Sequence, residues 1–303
     1  YIIPLAIILL GCVSMATIGL NNGIDFTGGR NYVIRFDKDV RTDEVRAALE
    51  PQFKGGSVSV ITIGSQNQVR VSTNYKITDN SAGIDDEIIG KLYAGLKPFL
   101  GNATQEQFAS DNIQSSQKVD IKNSAVLAVL FAMVCMALYI LVRFRDVAFS
   151  VGVFVSVAVT TLCIIAFYTL LWKIMPFSME VDQTFIAAIL TVIGYSINDT
   201  VVVFDRIRET IKLYPKRDRY EVINDALNST LSRTFSTSLS TFIVVFVIFL
   251  LGGSTIQSFT FAILLGVIVG TYSTLFVATP IAYEIQHRKS LKAAGATAAT
   301  ATA

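Results

Sequence analysis

The stretch FIAAILTVIGYSINDTVVVFD, residues 185–205, decides how this chain is read. From Phe185 to Asn198 it carries no charged side chain, and then it meets Asp199. At about 1.5 Å of rise per residue, Asp199 lies about 21 Å along an apolar rod, in a hydrocarbon layer about 30 Å thick. Such a rod is read as a membrane span. A charge at mid-membrane costs roughly 2.5–3.5 kcal/mol on insertion scales, and less toward the edge. The carboxyl must therefore pair, take up a proton or line a wet cavity. Ser196 and Asn198 add polarity to the same stretch.

The rest of the chain agrees with a membrane setting. Its 303 residues are 52% hydrophobic and 16% charged, whereas soluble domains carry about 25% charged residues. Five further apolar runs, 1–20, 123–142, 147–172, 234–252 and 258–283, join 183–205 to predict six spans. The second, third, fifth and sixth spans contain no Asp, Glu, Lys or Arg between those limits, which a soluble core helix of that length rarely manages. Basic residues set the orientation. Arg143 and Arg145 follow the second span; Arg206, Arg208, Lys212, Lys216, Arg217 and Arg219 follow the fourth; Arg288, Lys289 and Lys292 follow the sixth. The opposite loops hold only Lys173. The positive-inside rule then places both ends in the cytoplasm and the long segment 21–122 outside.

That segment reads as a folded α+β domain. Tyr32, Ile34 and Phe36 alternate with polar neighbours, as on a half-buried strand. Thr42 is read as the cap of a helix running to about Phe53, with Asp43 and Glu44 in its first turn. Val58 to Ile63 and Val69 to Val71 predict a hairpin, Asp85 to Glu87 open a second helix, and 113–121 supplies a last strand. The order β-α-β-β-α-β is the ferredoxin-like, split βαβ pattern, which leaves one sheet face open for contact. Between spans four and five, residues 206–232 carry Tyr220, Ile223, Leu227 and Leu231 at helical spacing. They predict an amphipathic helix on the cytoplasmic interface. Residues 290–303 are Ala/Thr-rich and read as a disordered tail. Tyr1 opens inside an apolar run, so the sequence is read as part of a longer or fused chain.

Span five begins with Arg233 and continues with Thr234, Ser236, Thr237, Ser238, Ser240 and Thr241. A short connection makes spans four and five antiparallel, so Asp199 and Arg233 fall at similar depth. One reading brings the two side chains together, with Ser196, Asn198, Thr237 and Thr241 supporting them and holding water. Burial and a neighbouring guanidinium act on a carboxyl in opposite senses, which leaves it able to exchange an ion. The other reading has Asp199 capping or snorkelling and Arg233 on lipid phosphate. Gly266 and Gly270 form a GxxxG suited to close helix contact. Cys12, Cys135 and Cys163 lie in apolar runs without metal spacing, and His287 is the only histidine. No metal site, cofactor motif, nucleotide loop, nucleophile elbow or nucleic-acid patch is read, so an enzyme is not expected.

Three stretches carry a resemblance. Residues 23–29, with Gly23, Asp25, Phe26, Gly28 and Gly29, resemble the GxDFxGG signature of the SecD/SecF protein-export family. Residues 193–209 resemble the longer signature of the SecF branch, and 232–238 are similar to its next stretch. The resemblance covers about 1–289. It implies an RND-like, polytopic α-helical fold with six transmembrane helices and an external ferredoxin-like α+β domain between the first two. It implies SecD as a separate or fused half, and work with the SecYEG channel, the SecA motor and a translocating preprotein in the bacterial inner membrane. It also implies that Asp199 and Arg233 serve the coupling of proton or sodium flow to late export. The rival readings are a small-molecule or lipid exporter of the same superfamily and a passive scaffold of the translocon. A second intramembrane carboxylate, expected on the SecD side, has no counterpart here.

Overall fold

The computed structural model describes residues 2–21, 23, 29–54, 56, 58–62, 67–76, 83–100, 113–119, 122–175, 177 and 179–288. Asp25, Phe26, Gly28 and the tail 290–303 lie outside the described residues.

The segment after the first helix folds as β1 (Gly29–Arg35), α2 (Thr42–Leu49), β2 (Val58–Thr62), β3 (Gln68–Thr73), α3 (Ile84–Leu96) and β4 (Ile113–Val119). The sheet order is β2-β3-β1-β4 and every pair is antiparallel. This is the split βαβ arrangement. Its register places Tyr32 opposite Val71 and Val71 opposite Val60. Period-two alternation turns Tyr32, Ile34 and Val71 to one face, where they meet Val45, Leu49, Ile88 and Leu92 of the two helices in a single core. Thr42 is the first helical residue rather than the cap, which is Arg41. The helix ends at Leu49 and tightens into a 3-10 turn over Glu50–Gln52.

The remaining elements are helices: α1 (Ile2–Thr17), α4 (Lys122–Phe144), α5 (Val147–Leu171), α6 (Gln183–Leu213), α7 (Arg219–Leu251) and α8 (Gly253–Ser273). α8 passes through one π-helical turn, Thr274–Ala278, and the helical path continues to Arg288. Where the sequence predicts six spans, five helices among the described residues are long and apolar enough to cross a membrane. α1 has only 16 residues, about 24 Å of helix against a layer about 30 Å thick.

The segment between the fourth and fifth predicted spans departs from expectation. Residues 206–232 form no separate interfacial helix. α6 runs on to Leu213, α7 already starts at Arg219, and Tyr214 to Asp218 are all that connects them. The 31 and 33 residues of these helices reach about 46 and 50 Å, well past the hydrocarbon. The buried face overlaps the expected one only in part: Ile223 is buried and Leu227 packs against the bundle core. Val222, Ala226, Thr230, Thr234 and Ser238 are buried, each four residues from the last, so a single stripe runs from the polar end into the span. Tyr220 and Leu231 lie off that stripe and are exposed.

α4 and α5 meet at a sharp turn. Arg145 takes a left-handed φ of 55°, and its N–H donates to the Leu141 carbonyl at 2.8 Å. Asp146 then caps α5 by accepting from the Ala148 N–H at 2.9 Å. At the other end of the bundle the α/β unit is tied down. Arg46 of α2 pairs with Glu180 at 3.0 Å. The Gly23 N–H donates to the Val181 carbonyl at 2.8 Å, and the Val181 N–H to that of Asn21 at 2.8 Å. A Cβ on Gly23 would sit 2.9 Å from that of Asp182. The open sheet face, with Ser59, Arg70 and Ser72, borders a cleft of about 320 Å³ against the start of α6.

Candidate functional site: a buried carboxylate among hydroxyls

Three helices converge on Asp199. α8 approaches α6 closely because Gly266 and Gly270 lack side chains: a Cβ on Gly266 would clash with Val192, and one on Gly270 would lie 3.3 Å from Ser196. α7 brings the stripe ending in Ser238. In the crevice between them Asp199 is 6% exposed.

The Ser238 hydroxyl donates to Asp199 Oδ2 at 3.4 Å and lies 2.7 Å from the Thr271 hydroxyl. Thr271 in turn reaches the Val267 carbonyl at 2.7 Å. Each hydroxyl owns one proton, so the chain has two consistent settings. With Asp199 ionised, Thr271 donates to Ser238 and Ser238 to the carboxylate. With Asp199 protonated, the carboxyl donates to Ser238, Ser238 to Thr271, and Thr271 to Val267. One proton at Asp199 therefore reverses the whole row.

A second row lies alongside. Thr200 and Thr274 share a hydrogen bond of 2.9 Å, and Ser156 and Ser273 another of 2.9 Å. Thr274 begins the π-helical turn, and the Thr279 hydroxyl donates to the Thr274 carbonyl at 3.2 Å. Single π turns inside α-helices concentrate at functional sites.

The residues expected from sequence divide. Thr237 adjoins the Asp199 carboxylate, although its own hydroxyl donates to the Thr234 carbonyl at 3.0 Å. Ser196 is buried against Gly270, with no hydrogen-bond partner for its hydroxyl among the described residues. Asn198 is exposed on another face of α6. Thr241 is half-buried, and its hydroxyl donates to the Thr237 carbonyl at 3.0 Å. The expected close approach of Arg233 is not formed. Arg233 is exposed, and among the described residues it has no ion pair with Asp199. Helix geometry gives the reason. Arg233 sits one residue, about 100°, off the buried stripe and about 7.5 Å short of Ser238 along α7. Its charge reaches Asp199 through space only.

Thr271, Ser273, Thr274, Thr200 and Ser156 were not singled out from sequence. The available signal was three Ser/Thr residues within four positions, 271–274, inside an otherwise largely apolar span.

The bundle defines a multi-pass helical membrane protein whose interior carries one carboxylate among hydroxyls. A family model described as "Protein export membrane protein SecD/SecF, C-terminal" matches residues 98–288, and the "SecD/SecF GG Motif" model matches 13–40. The chain belongs to the SecD/SecF family of protein-export membrane proteins. It is 37% identical to the protein translocase subunit SecF of Rhodothermus marinus, over 98% of this chain and 94% of that one. It is 32% identical to the SecF subunit of Vibrio alginolyticus, over 95% and 88%. The crystal structure of SecDF from Thermus thermophilus, described as a translocon-associated membrane protein, superposes with a TM-score of 0.65 at 31% identity. That match covers 94% of this chain, which spans 37% of the SecDF chain.

Proposed function

We propose that this chain acts as a SecF-like subunit of the Sec export machinery, and that Asp199 carries the ion whose passage drives late steps of preprotein translocation. The observation that carries the reading is the buried carboxylate joined to a reversible row of hydroxyls. A scaffold has no use for that cost. Asp199 takes up and releases the ion, Ser238 and Thr271 register its state, and Arg233 biases the site from the polar end of α7. One charge moving through 100 mV yields about 2.3 kcal/mol, an about fiftyfold bias on a two-state rearrangement.

In this reading α1 is the first of six spans, both ends are cytoplasmic in the bacterial inner membrane, and the α/β unit is external. SecD, separate or fused, supplies the facing half. Supporting this, α7 buries little of its membrane stretch while it exposes Ser236, Thr237 and Ser240, and α6 exposes Asn198. Polar groups at membrane depth face a bundle interior rather than lipid. SecYEG and SecA are the further partners.

The test is translocation into membrane vesicles with SecD supplied, with and without an imposed gradient. The native chain should gain from the gradient, and Asp199→Asn should lose that gain and keep the gradient-independent part. An undiminished gain in Asp199→Asn would overturn the proposal.

A further inference from the structure

At the arginine-rich end of the bundle, the starts of α5 and α7 and the ends of α4, α6 and α8 enclose a cavity of about 400 Å³. Its lining divides by chemistry. Phe144, Phe149 and Tyr283 stand toward the span, and Arg208, Lys212 and Arg219 stand beyond it. The phenylalanines belong to a ring cluster with Phe204, at centroid distances of 4.6–6.0 Å.

Among the described residues the cations of the lining have no acidic partner, which they share with Arg145 and Lys216 outside it. Four other arginines of this end are paired: Arg143 with Asp205, Arg206 with Glu209, Arg217 with Asp225 and Arg288 with Glu284, all at 2.7–3.0 Å. Arg208, Lys212 and Arg219 have no hydrogen bond or ion pair among the described residues. The acid in the lining, Asp146, is already engaged. Its Oδ1 accepts from the Ala148 N–H at 2.9 Å and its Oδ2 from Gln286 at 2.8 Å.

We infer that this cavity is a binding site for the phosphate headgroup of an anionic phospholipid. Three cations without acidic partners converge on a pocket that has an aromatic floor and stands where an apolar bundle gives way to charge. A phosphodiester fits the cationic rim, and its glycerol and acyl carbons fit the rings. Basic pockets between spans are one recognised form of anionic headgroup binding. The site is separate from the Asp199 crevice and does not depend on ion coupling.

The purified full chain, placed in nanodiscs of mixed phosphatidylglycerol and phosphatidylcholine, is examined by native mass spectrometry after release into detergent. The native chain should retain phosphatidylglycerol over phosphatidylcholine. Arg208→Gln and Arg219→Gln should each weaken retention roughly fivefold, as expected for one cation at a membrane surface. Arg208→Lys should keep most of it, and Arg206→Gln, which removes a paired arginine, should leave it within about twofold on the same scale. Equal retention of the two lipids would overturn the site, as would Arg208→Gln and Arg219→Gln variants that bind like the native chain. Displacement of the lipid by inorganic phosphate at a matching concentration would overturn its assignment to a lipid.

Discussion

Asp199 has meaning only with its neighbours. A hydrogen bond to a charged group contributes about 1.5–3 kcal/mol, so Ser238→Ala should slow gradient-driven transport by about tenfold or more. Thr271→Val, one bond further along the row, should cost less than Ser238→Ala. Transport assays on the two variants, in vesicles with SecD, check the order, and equal losses would mean that the row does not act in sequence. The burial of Asp199 was legible from sequence, because it follows an uncharged run from Phe185 to Asn198 deep enough that lipid forbids an idle carboxylate. Its partner was not. Depth alone pointed to Arg233, while the rotation of α7 decides for Ser238. A rotation follows from which face packs, and that is set jointly by contacts with α6 and α8, which no single stretch of sequence shows.

Among the elements, α8 is held to α6 by the absence of side chains at Gly266 and Gly270. Gly266→Leu should drive into Val192 and destabilise the bundle by about 1–3 kcal/mol, read as a lower unfolding temperature in detergent. A variant as stable as the native chain would show that the helices do not meet there. The GxxxG was legible as a close contact within the bundle; that α6 is the helix it meets was not. The α/β unit was legible in element order from the period-two strands and the acid-led helices. Its edges moved because Arg41, not Thr42, stands before α2. In the same unit the Glu87 carboxylate accepts from Lys76 at 2.8 Å and from the Tyr75 hydroxyl at 3.0 Å. Both hold its pKa below the ordinary value of 4.5. A lowered folded pKa means that the pair's support is present above 4.5 and fades as pH falls through the folded value. Lys76→Met should raise the Glu87 midpoint in an NMR titration, and an unmoved midpoint would contradict the pairing.

At the scale of the molecule, two cores share one chain and are joined at few points. Arg46 with Glu180, and the backbone exchange of Gly23 and Val181, fasten the α/β unit to the start of α6. α6 is also the helix that carries Asp199, so a shift at the acid has a rigid path to the unit. Arg46→Ala should leave the sheet folded and increase hydrogen exchange around Glu180, and unchanged exchange would show that the ion pair is no fastening. Positive charge at one end gave the orientation as an expectation. The length of α6 and α7 beyond the membrane stayed hidden, because Arg-rich helical extensions and amphipathic interface helices share a composition.

The account stands on Asp199 changing its protonation in the membrane. Infrared difference spectroscopy of the chain reconstituted with SecD, stepped between low and high pH, reads that event directly. A carboxylic-acid band should appear on acidification, shift when Ser238 is replaced by Ala, and vanish in Asp199→Asn. A spectrum of the native chain identical to that of Asp199→Asn throughout the step would contradict the account.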